Sequence, residues 1–240
     1  TKILKLLTII TKLFQLLPAE LSHSIALKGI KLIAFMGFRL KQYGNSSNLN
    51  LFNKKLKNSL GLAAGLDKNG DYIDSLSSLG FGFLEIGTVT PKPQYGNPKP
   101  RLFRDLSSKA IINKMGFNNK GVDYLVNNLR KRKSDIPIGV SIGKNFDTPN
   151  DLAKKDYIYC LEKVFELADY IAINISSPNT RDLRKLEIQE VLTTLLESLK
   201  NRQLELSEKF GYKPLFLKIS PDNSEENIKH ICKTMLKFSI

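Results

Sequence analysis

Five short apolar segments, each running into polar or cationic residues, recur along residues 60–220 and restrict what this chain can fold into. They read LGLAAG at 60–65, GFLEIGTV at 82–89, IPIGVSIG at 136–143, YIAINIS at 170–176 and PLFLKIS at 214–220. Amphipathic stretches separate them near 71–79, 120–132, 151–168 and 187–209, and a last one lies near 224–238. Near-continuous apolar strands alternating with helices belong in a parallel sheet covered on both faces. A doubly wound sheet and a (β/α)8 TIM-type barrel both satisfy that pattern. The strand ends favour the barrel. Lys68 follows the first strand, Thr88 ends the second, and Lys144 and Asn145 follow the third. Asn174, Ser177 and Asn179 come at the end of the fourth and Lys218 at the end of the fifth. Polar groups at every C-terminal strand end mark the face on which barrel enzymes build their sites. A nucleotide-binding sheet would concentrate its signal in a glycine-rich first turn, and the chain has no GxGxxG or P-loop. The expected fold is therefore α/β, a TIM-type barrel of which about five βα units are present over residues 45–240, incomplete at the C-terminus.

Residues 1–44 are expected to form a separate amphipathic helical segment. KILKLLTIITKLFQLL at 2–17 interleaves lysines with Leu, Ile and Phe, and Pro18 stops it. A second helix carries Leu21, Ile25, Leu32 and Met36 at helical spacing and is expected to close at Gly44. Such a pair caps a core or lies on a bilayer. Of the net charge of +14, residues 1–60 supply most, with Glu20 as their single acid. That imbalance suits an anionic membrane surface or a nucleic acid, or reflects a lysine-rich coding bias. No apolar run reaches the roughly 18 residues of a membrane span, and the start lacks a small-residue cleavage site. Cys160 and Cys232 are far apart and belong to no CxxC or Cys/His cluster, so two buried thiols are expected rather than a disulfide framework or zinc site.

The chemistry of the rim is unusual in lacking acids. It offers lysines, amides, a Thr and a Ser, with no carboxylate pair, His/Asp couple or metal-ligand cluster; His23 and His230 lie in helical segments away from it. Asp67 and Asp222 stand beside turns and are read as turn-makers. The proline-rich excursion 91–119 cannot be a simple helix and has the position of a substrate loop. Lysines and amides suit a planar, anionic, amide-bearing ligand, and the missing acid–base couple implies that a cofactor carries the difficult chemistry.

GLAAGLDKNG, EIGTVTPKPQYGNPKPRLFR, INKMGFNN, IGKN and INISSPNT stand in this order over residues 60–220, and together they resemble the dihydroorotate dehydrogenases. The N-terminal helices resemble the extension of the family's class 2, the quinone-using members. The resemblance implies FMN as cofactor, with Ala64, Gly65, Lys68, Thr88, Ser141, Asn174 and Lys218 as its contacts. Ser141 departs from the family, which usually has Asn there, so one flavin contact is expected to be lost or bridged by water. It implies dihydroorotate contacts from Lys68, Asn113, Lys114, Met115, Gly116, Phe117, Asn174 and Asn179. It also implies a catalytic base, Ser177, with Thr180 in a proton relay. A serine at that position goes with class 2; class 1 has Cys.

The implied reaction takes a proton from C5 of dihydroorotate to Ser177 and a hydride from C6 to FMN, giving orotate for pyrimidine biosynthesis, with a membrane quinone as final acceptor. His23 and Arg104 match positions lining a quinone tunnel. The implied location is a peripheral membrane surface, the cytoplasmic side of the cell membrane in a bacterium or the inner mitochondrial membrane in a eukaryote, with no nucleic-acid partner. The family holds the FMN phosphate on loops after its seventh and eighth strands, which these 240 residues do not contain, so weak FMN binding is expected. The rivals are another FMN-dependent dihydropyrimidine or dihydrouridine oxidoreductase, which would place Cys at 177, and a non-catalytic membrane-peripheral basic module.

Overall fold

A computed structural model of the chain describes residues 2–39, 50–51, 54–180 and 182–240. Helices α1 (Lys2–Gln15) and α2 (Ala19–Phe35) precede a short antiparallel pair, β1 (Asn50–Leu51) and β2 (Lys54–Lys55). Then follow β3 (Gly61–Leu62), α3 (Ile73–Ser77), β4 (Phe83–Val89), a hairpin of β5 (Leu102–Asp105) and β6 (Ala110–Asn113), and α4 (Val122–Lys131). The chain continues through β7 (Ile138–Ile142), α5 (Ala153–Val164), β8 (Tyr170–Asn174), α6 (Gln189–Phe210), β9 (Leu215–Lys218) and α7 (Glu225–Phe238).

Strands β3, β4, β7, β8 and β9 form one parallel sheet in chain order, each paired with its predecessor. A doubly wound sheet reverses direction at a switch point; this one does not, and the barrel reading stands. Side chains alternate across the strands. Leu84, Ile86, Val140, Ile142, Ile171 and Ile173 are buried with Leu125, Leu129, Leu161, Leu196 and Leu199 of the helices in the main hydrophobic core. The opposite face carries an aromatic row at its N-terminal end, Phe83, Tyr170 and Phe216, packed edge to face with centroids 6.5 and 5.3 Å apart. Glycines make room for it: a Cβ on Gly61 would lie 2.1 Å from the Phe83 ring, and one on Gly139 2.0 Å from Tyr170. Counting along this face by twos leads from Gly139 to Ser141, from Tyr170 through Ala172 to Asn174, and from Phe216 to Lys218. Register and parity alone thus bring three of the expected site residues to one rim.

Several expectations need correction. Helix α2 ends at Phe35, with Met36 as its cap and Gly37 at φ +85°, because glycine takes the left-handed turn there without a Cβ penalty; Gly44 lies outside the described residues. The first strand pairs only over Gly61–Leu62 and then curves, the Gly65 N–H reaching the Gly87 carbonyl at 2.9 Å. The β5–β6 hairpin was not foreseen. Its signal was a turn at DLSSK, where the Asp105 carboxylate accepts hydrogen bonds from Ser107 and Ser108, flanked by β-branched Ile111 and Ile112. Cys160 is buried, which pushes its thiol well above the usual range, but Cys232 is exposed.

The helix pair caps the core with one side and leaves apolar side chains exposed on the other. Helix α2 lies against α3 and β5, burying Leu27 and Ser22, and the Ser22 hydroxyl donates to the Phe14 carbonyl at 2.7 Å to hold α1. Ile9, Leu13, Leu16, Leu21, Leu32 and Phe35 remain exposed. Among the described residues no helix is long and apolar enough to cross a membrane.

One irregularity shapes the rim. Between Gly87↔Ser141 and Val89↔Ile142 the β4–β7 register slips, leaving Thr88 as the extra residue of a bulge that turns it toward the aromatic-row face. Gly87 makes this possible at φ +110°, where a Cβ would sit 2.4 Å from the Ser141 carbonyl oxygen. Gly87→Ala is expected to lower unfolding free energy by about 2 kcal/mol or more. Urea denaturation checks it, and an unchanged midpoint would refute this account of the bulge.

Candidate active site

Asn174, at the end of β8, is buried and ties three strands together. Its Nδ2 donates to Thr88 Oγ1 at 2.8 Å, and Thr88 Oγ1 lies 2.8 Å from Ser141 Oγ. Its Oδ1 accepts from the Ser176 amide and hydroxyl, and its carbonyl from the Tyr157 hydroxyl at 2.8 Å. Buried polar groups are stable only when paired, so this triad fixes the rim of β4, β7 and β8 at one register. Lys218 stands opposite Asn174 on β9, exposed and on the same face. Lys144 does not join them. It is buried and donates to the Thr148 carbonyl at 2.8 Å, closing its own loop.

At the end of β3 Ala64 is half-buried and Gly65 exposed, and a Cβ on Gly65 would meet nothing within 4 Å. Asp67 is the expected turn-maker, its carboxylate accepting the N–H groups of Asn69, Asp71 and Tyr72. The turn aims Lys68 back at the site, where Nζ donates to Asn118 Oδ1 at 2.5 Å. Burial, and then the Arg101 charge, bring the Lys68 ammonium down to about 8, with Glu20 opposing. His23 is half-buried; burial and then Lys68 depress its pKa.

The excursion 91–119 is anchored to the rim by amides. Asn145 Nδ2 donates to Thr90 Oγ1, the Lys92 carbonyl and Gln94 Oε1, while Asn119 Nδ2 donates to Thr90 Oγ1 and the Phe117 carbonyl. Asn97 Nδ2 reaches the Lys114 carbonyl at 2.9 Å and the Asn179 carbonyl at 3.3 Å. Asn179 in turn donates to the carbonyl and side chain of Asn113 at 3.2 and 3.3 Å. Asn113 and Lys114 are exposed, Met115 is half-buried and Gly116 is buried. The Phe117 ring packs into the core beside Gly143 and Thr88, so its side chain supports the rim from below.

Ser177 follows β8 and is half-buried, its Oγ accepting the Asn179 N–H at 3.2 Å. The Thr180 hydroxyl is buried without a hydrogen-bond partner, so the expected relay bond to Ser177 is not formed here. The Ser-Pro turn gives the Ser177 oxygen a local backbone donor instead. Arg104 Nη1 donates to the Leu17 carbonyl at 2.8 Å, joining β5 to the residues just after α1. Two important residues were missed in the sequence, Asn97 and Arg101. Arg101 pairs with Glu20, and the signal was available: one acid in a cationic segment demands a partner.

The rim thus gathers Thr88, Ser141, Asn174, Ser177 and Lys218, while Asn179 ties it to Asn113 and Lys68 bonds Asn118 of the 91–119 excursion. The chain as a whole is similar to known proteins. The dihydroorotate dehydrogenase family model matches residues 46–240. A dihydroorotate dehydrogenase (quinone) from Acinetobacter baylyi is 53% identical over 229 residues, 95% of this chain and 68% of the relative. Its counterpart from Vibrio parahaemolyticus is 50% identical over 96% of this chain and 69% of the relative. Among solved structures, DHODH from Eimeria tenella in complex with ferulenol superposes with a TM-score of 0.80 at 34% identity, over 92% of this chain and 64% of that one. The ligand-free Eimeria tenella form gives 0.78 at 36% identity, over 90% and 66%. This chain spans about two thirds of the length of these proteins. With the family model matching residues 46–240 and half its residues shared with relatives of that name, the chain belongs to the dihydroorotate dehydrogenase family and groups with its quinone-dependent oxidoreductases.

Proposed function

We propose that this chain oxidises dihydroorotate to orotate in pyrimidine biosynthesis, with FMN as its flavin and a membrane quinone as the electron acceptor. The observation that carries the proposal is the half-buried Ser177 hydroxyl, which follows β8 beside the buried hydrogen-bonded group of Asn174, Thr88 and Ser141. The residues present fit a flavin. Gly65 leaves its side of the β3 end open, and the Thr88, Ser141 and Asn174 triad supplies hydroxyl and amide groups. Lys218 adds an exposed cation in register with Asn174. Ala64, Gly65, Lys68, Thr88, Ser141, Asn174 and Lys218 would hold FMN, which when bound supplies the hydride acceptor.

The chain's own groups do the rest. Ser177 takes the C5 proton; a serine works as a base only in a site that excludes water and relieves it of that proton. As Ser177 takes the C5 proton it gives up its own, which Thr180, whose buried hydroxyl has no partner, would relay toward water by accepting it and releasing its own proton. Lys68 neutralises the substrate carboxylate, while Asn113, Asn174 and Asn179 read the ring amides. The 114–117 loop covers the ring.

Residues 1–44 form the membrane- and quinone-facing segment and 45–240 the FMN-binding portion. His23 and Arg104 line the quinone route, the one on α2 and the other on β5, two elements that pack on each other. The exposed apolar residues of α1 and α2 and their cationic neighbours suit shallow insertion at an anionic bilayer surface. The protein is then peripheral, on the cytoplasmic side of a bacterial membrane or at the inner mitochondrial membrane.

The test is bleaching of the flavin spectrum on adding dihydroorotate, followed by orotate formation with a quinone. Ser177→Ala is expected to slow that bleaching by about 10²–10⁴-fold with little change in substrate affinity. Loss of affinity at an unchanged rate would remove Ser177 from the base's role.

Lys68 makes the second prediction. It is a cation below its pKa of about 8 and neutral above, and only the cation attracts a carboxylate. Dihydroorotate affinity should therefore hold below that pH and fall by up to about tenfold per unit above it. Lys68→Arg should flatten the alkaline limb, since guanidinium stays charged. An alkaline limb unchanged in Lys68→Arg would assign it to another group.

A further inference from the structure

The N-terminal helices and the loop over the substrate are widely separated in sequence, yet one ion pair joins them. Arg101 is 6% exposed. Its Nη2 donates to Glu20 Oε1 at 2.8 Å, and its Nε lies 3.3 Å from both Glu20 oxygens. Its Nη1 donates to the carbonyls of Tyr95 and Asn97. The planar fork is thus spent on one carboxylate of α2 and two carbonyls of the 95–97 turn, a geometry that lysine cannot reproduce. The hydrogen bond from Arg101, helped by its charge and that of Lys99, holds the Glu20 carboxyl below its usual range despite partial burial.

From Arg101 the contacts run straight into the site. Its carbonyl accepts the Lys114 N–H at 2.9 Å, and the Asn97 N–H reaches the Met115 carbonyl at 3.1 Å. The Asn97 side chain holds the carbonyls of Lys114 and Asn179. The turn has no slack: a Cβ on Gly96, at φ +72°, would fall 2.2 Å from the Met115 carbonyl oxygen. At the other end, His23 follows Glu20 by three residues, on the same face of α2, and feels the Lys68 charge.

We infer that Glu20 and Arg101 are a positioning pair that couples the seating of helix α2 to the order of the substrate loop, so that the quinone-side helices and the 95–97 and 113–117 segments behave as one unit. The inference rests on the functional reading of the site given above. The elements that the pair joins carry candidate site residues, His23 on α2 and, through Asn97, Lys114 and Asn179 on the loop side. The pair also bears on Lys68, which Arg101 pushes down and Glu20 pulls back up. Losing Glu20 leaves Arg101 uncompensated beside that lysine, so the alkaline limb of substrate binding moves to lower pH.

The test combines hydrogen exchange with kinetics in the full chain for Glu20→Gln, Glu20→Ala and Glu20→Asp. In Glu20→Gln, which keeps the side-chain volume, the amides of Asn97 and Lys114 are expected to exchange roughly tenfold faster or more, while those of β7 and β8 keep their protection. The KM for dihydroorotate should rise about fivefold or more with kcat within about twofold, and Glu20→Asp should recover part of both. Faster exchange confined to α1 and α2, or kcat and KM unchanged with a loosened loop, would overturn the coupling. If Glu20→Ala unfolds the sheet, the β7 and β8 amides report it and Glu20→Gln decides. A wild-type chain that does not oxidise dihydroorotate overturns the functional reading; the exchange measurement needs no ligand and still decides whether the pair joins α2 to the loop.

Discussion

The hydrogen bonds that run from Asn174 to Thr88 and from Thr88 to Ser141 are the constraint from which the rim follows. All three side chains are at most 5% exposed, and each unpaired polar group at such a site costs about 1–3 kcal/mol. They can pair only if β4, β7 and β8 hold one register and if the bulge at Thr88 turns its hydroxyl inward. The same register brings Lys218 opposite Asn174. The sheet is therefore locked at its C-terminal end by these three side chains, and the Ser141 hydroxyl is spent on completing the Thr88 pair.

Outside the sheet the site depends on asparagine. Asn97, Asn119, Asn145 and Asn179 each bridge segments far apart in sequence, and most of their bonds go to backbone carbonyls or small hydroxyls. An amide both donates and accepts without carrying charge. It can thus pin a proline-rich loop onto the rim without adding a carboxylate that would compete with an anionic substrate for the lysines. Arg101 is the exception, and its charge is neutralised by Glu20 rather than left to the site.

The helix pair shows how one segment serves two surfaces. Its inward face, through Ser22, Leu27 and Glu20, is fastened to the rest of the structure by a hydroxyl, a core contact and an ion pair. Its outward face leaves Leu13, Leu16, Leu32 and Phe35 in solvent. An apolar surface of that kind is costly unless something apolar covers it, and the lysines around it favour an anionic partner.

The order of five parallel strands and the polar residues at their C-terminal ends, Asn174 and Lys218 among them, were legible in the sequence, because strand periodicity and βα alternation are local properties. The amphipathic character of α1 and α2 was legible for the same reason. What tertiary structure alone decided is how side chains choose partners across large sequence separations. It took Lys144 out of the rim and into its own loop, folded 102–113 into a hairpin and left the Thr180 hydroxyl buried without a partner. Arg101 and Glu20 met across 81 residues. No local pattern encodes such a pairing; it arises when burial removes water from an arginine and leaves one carboxylate within reach.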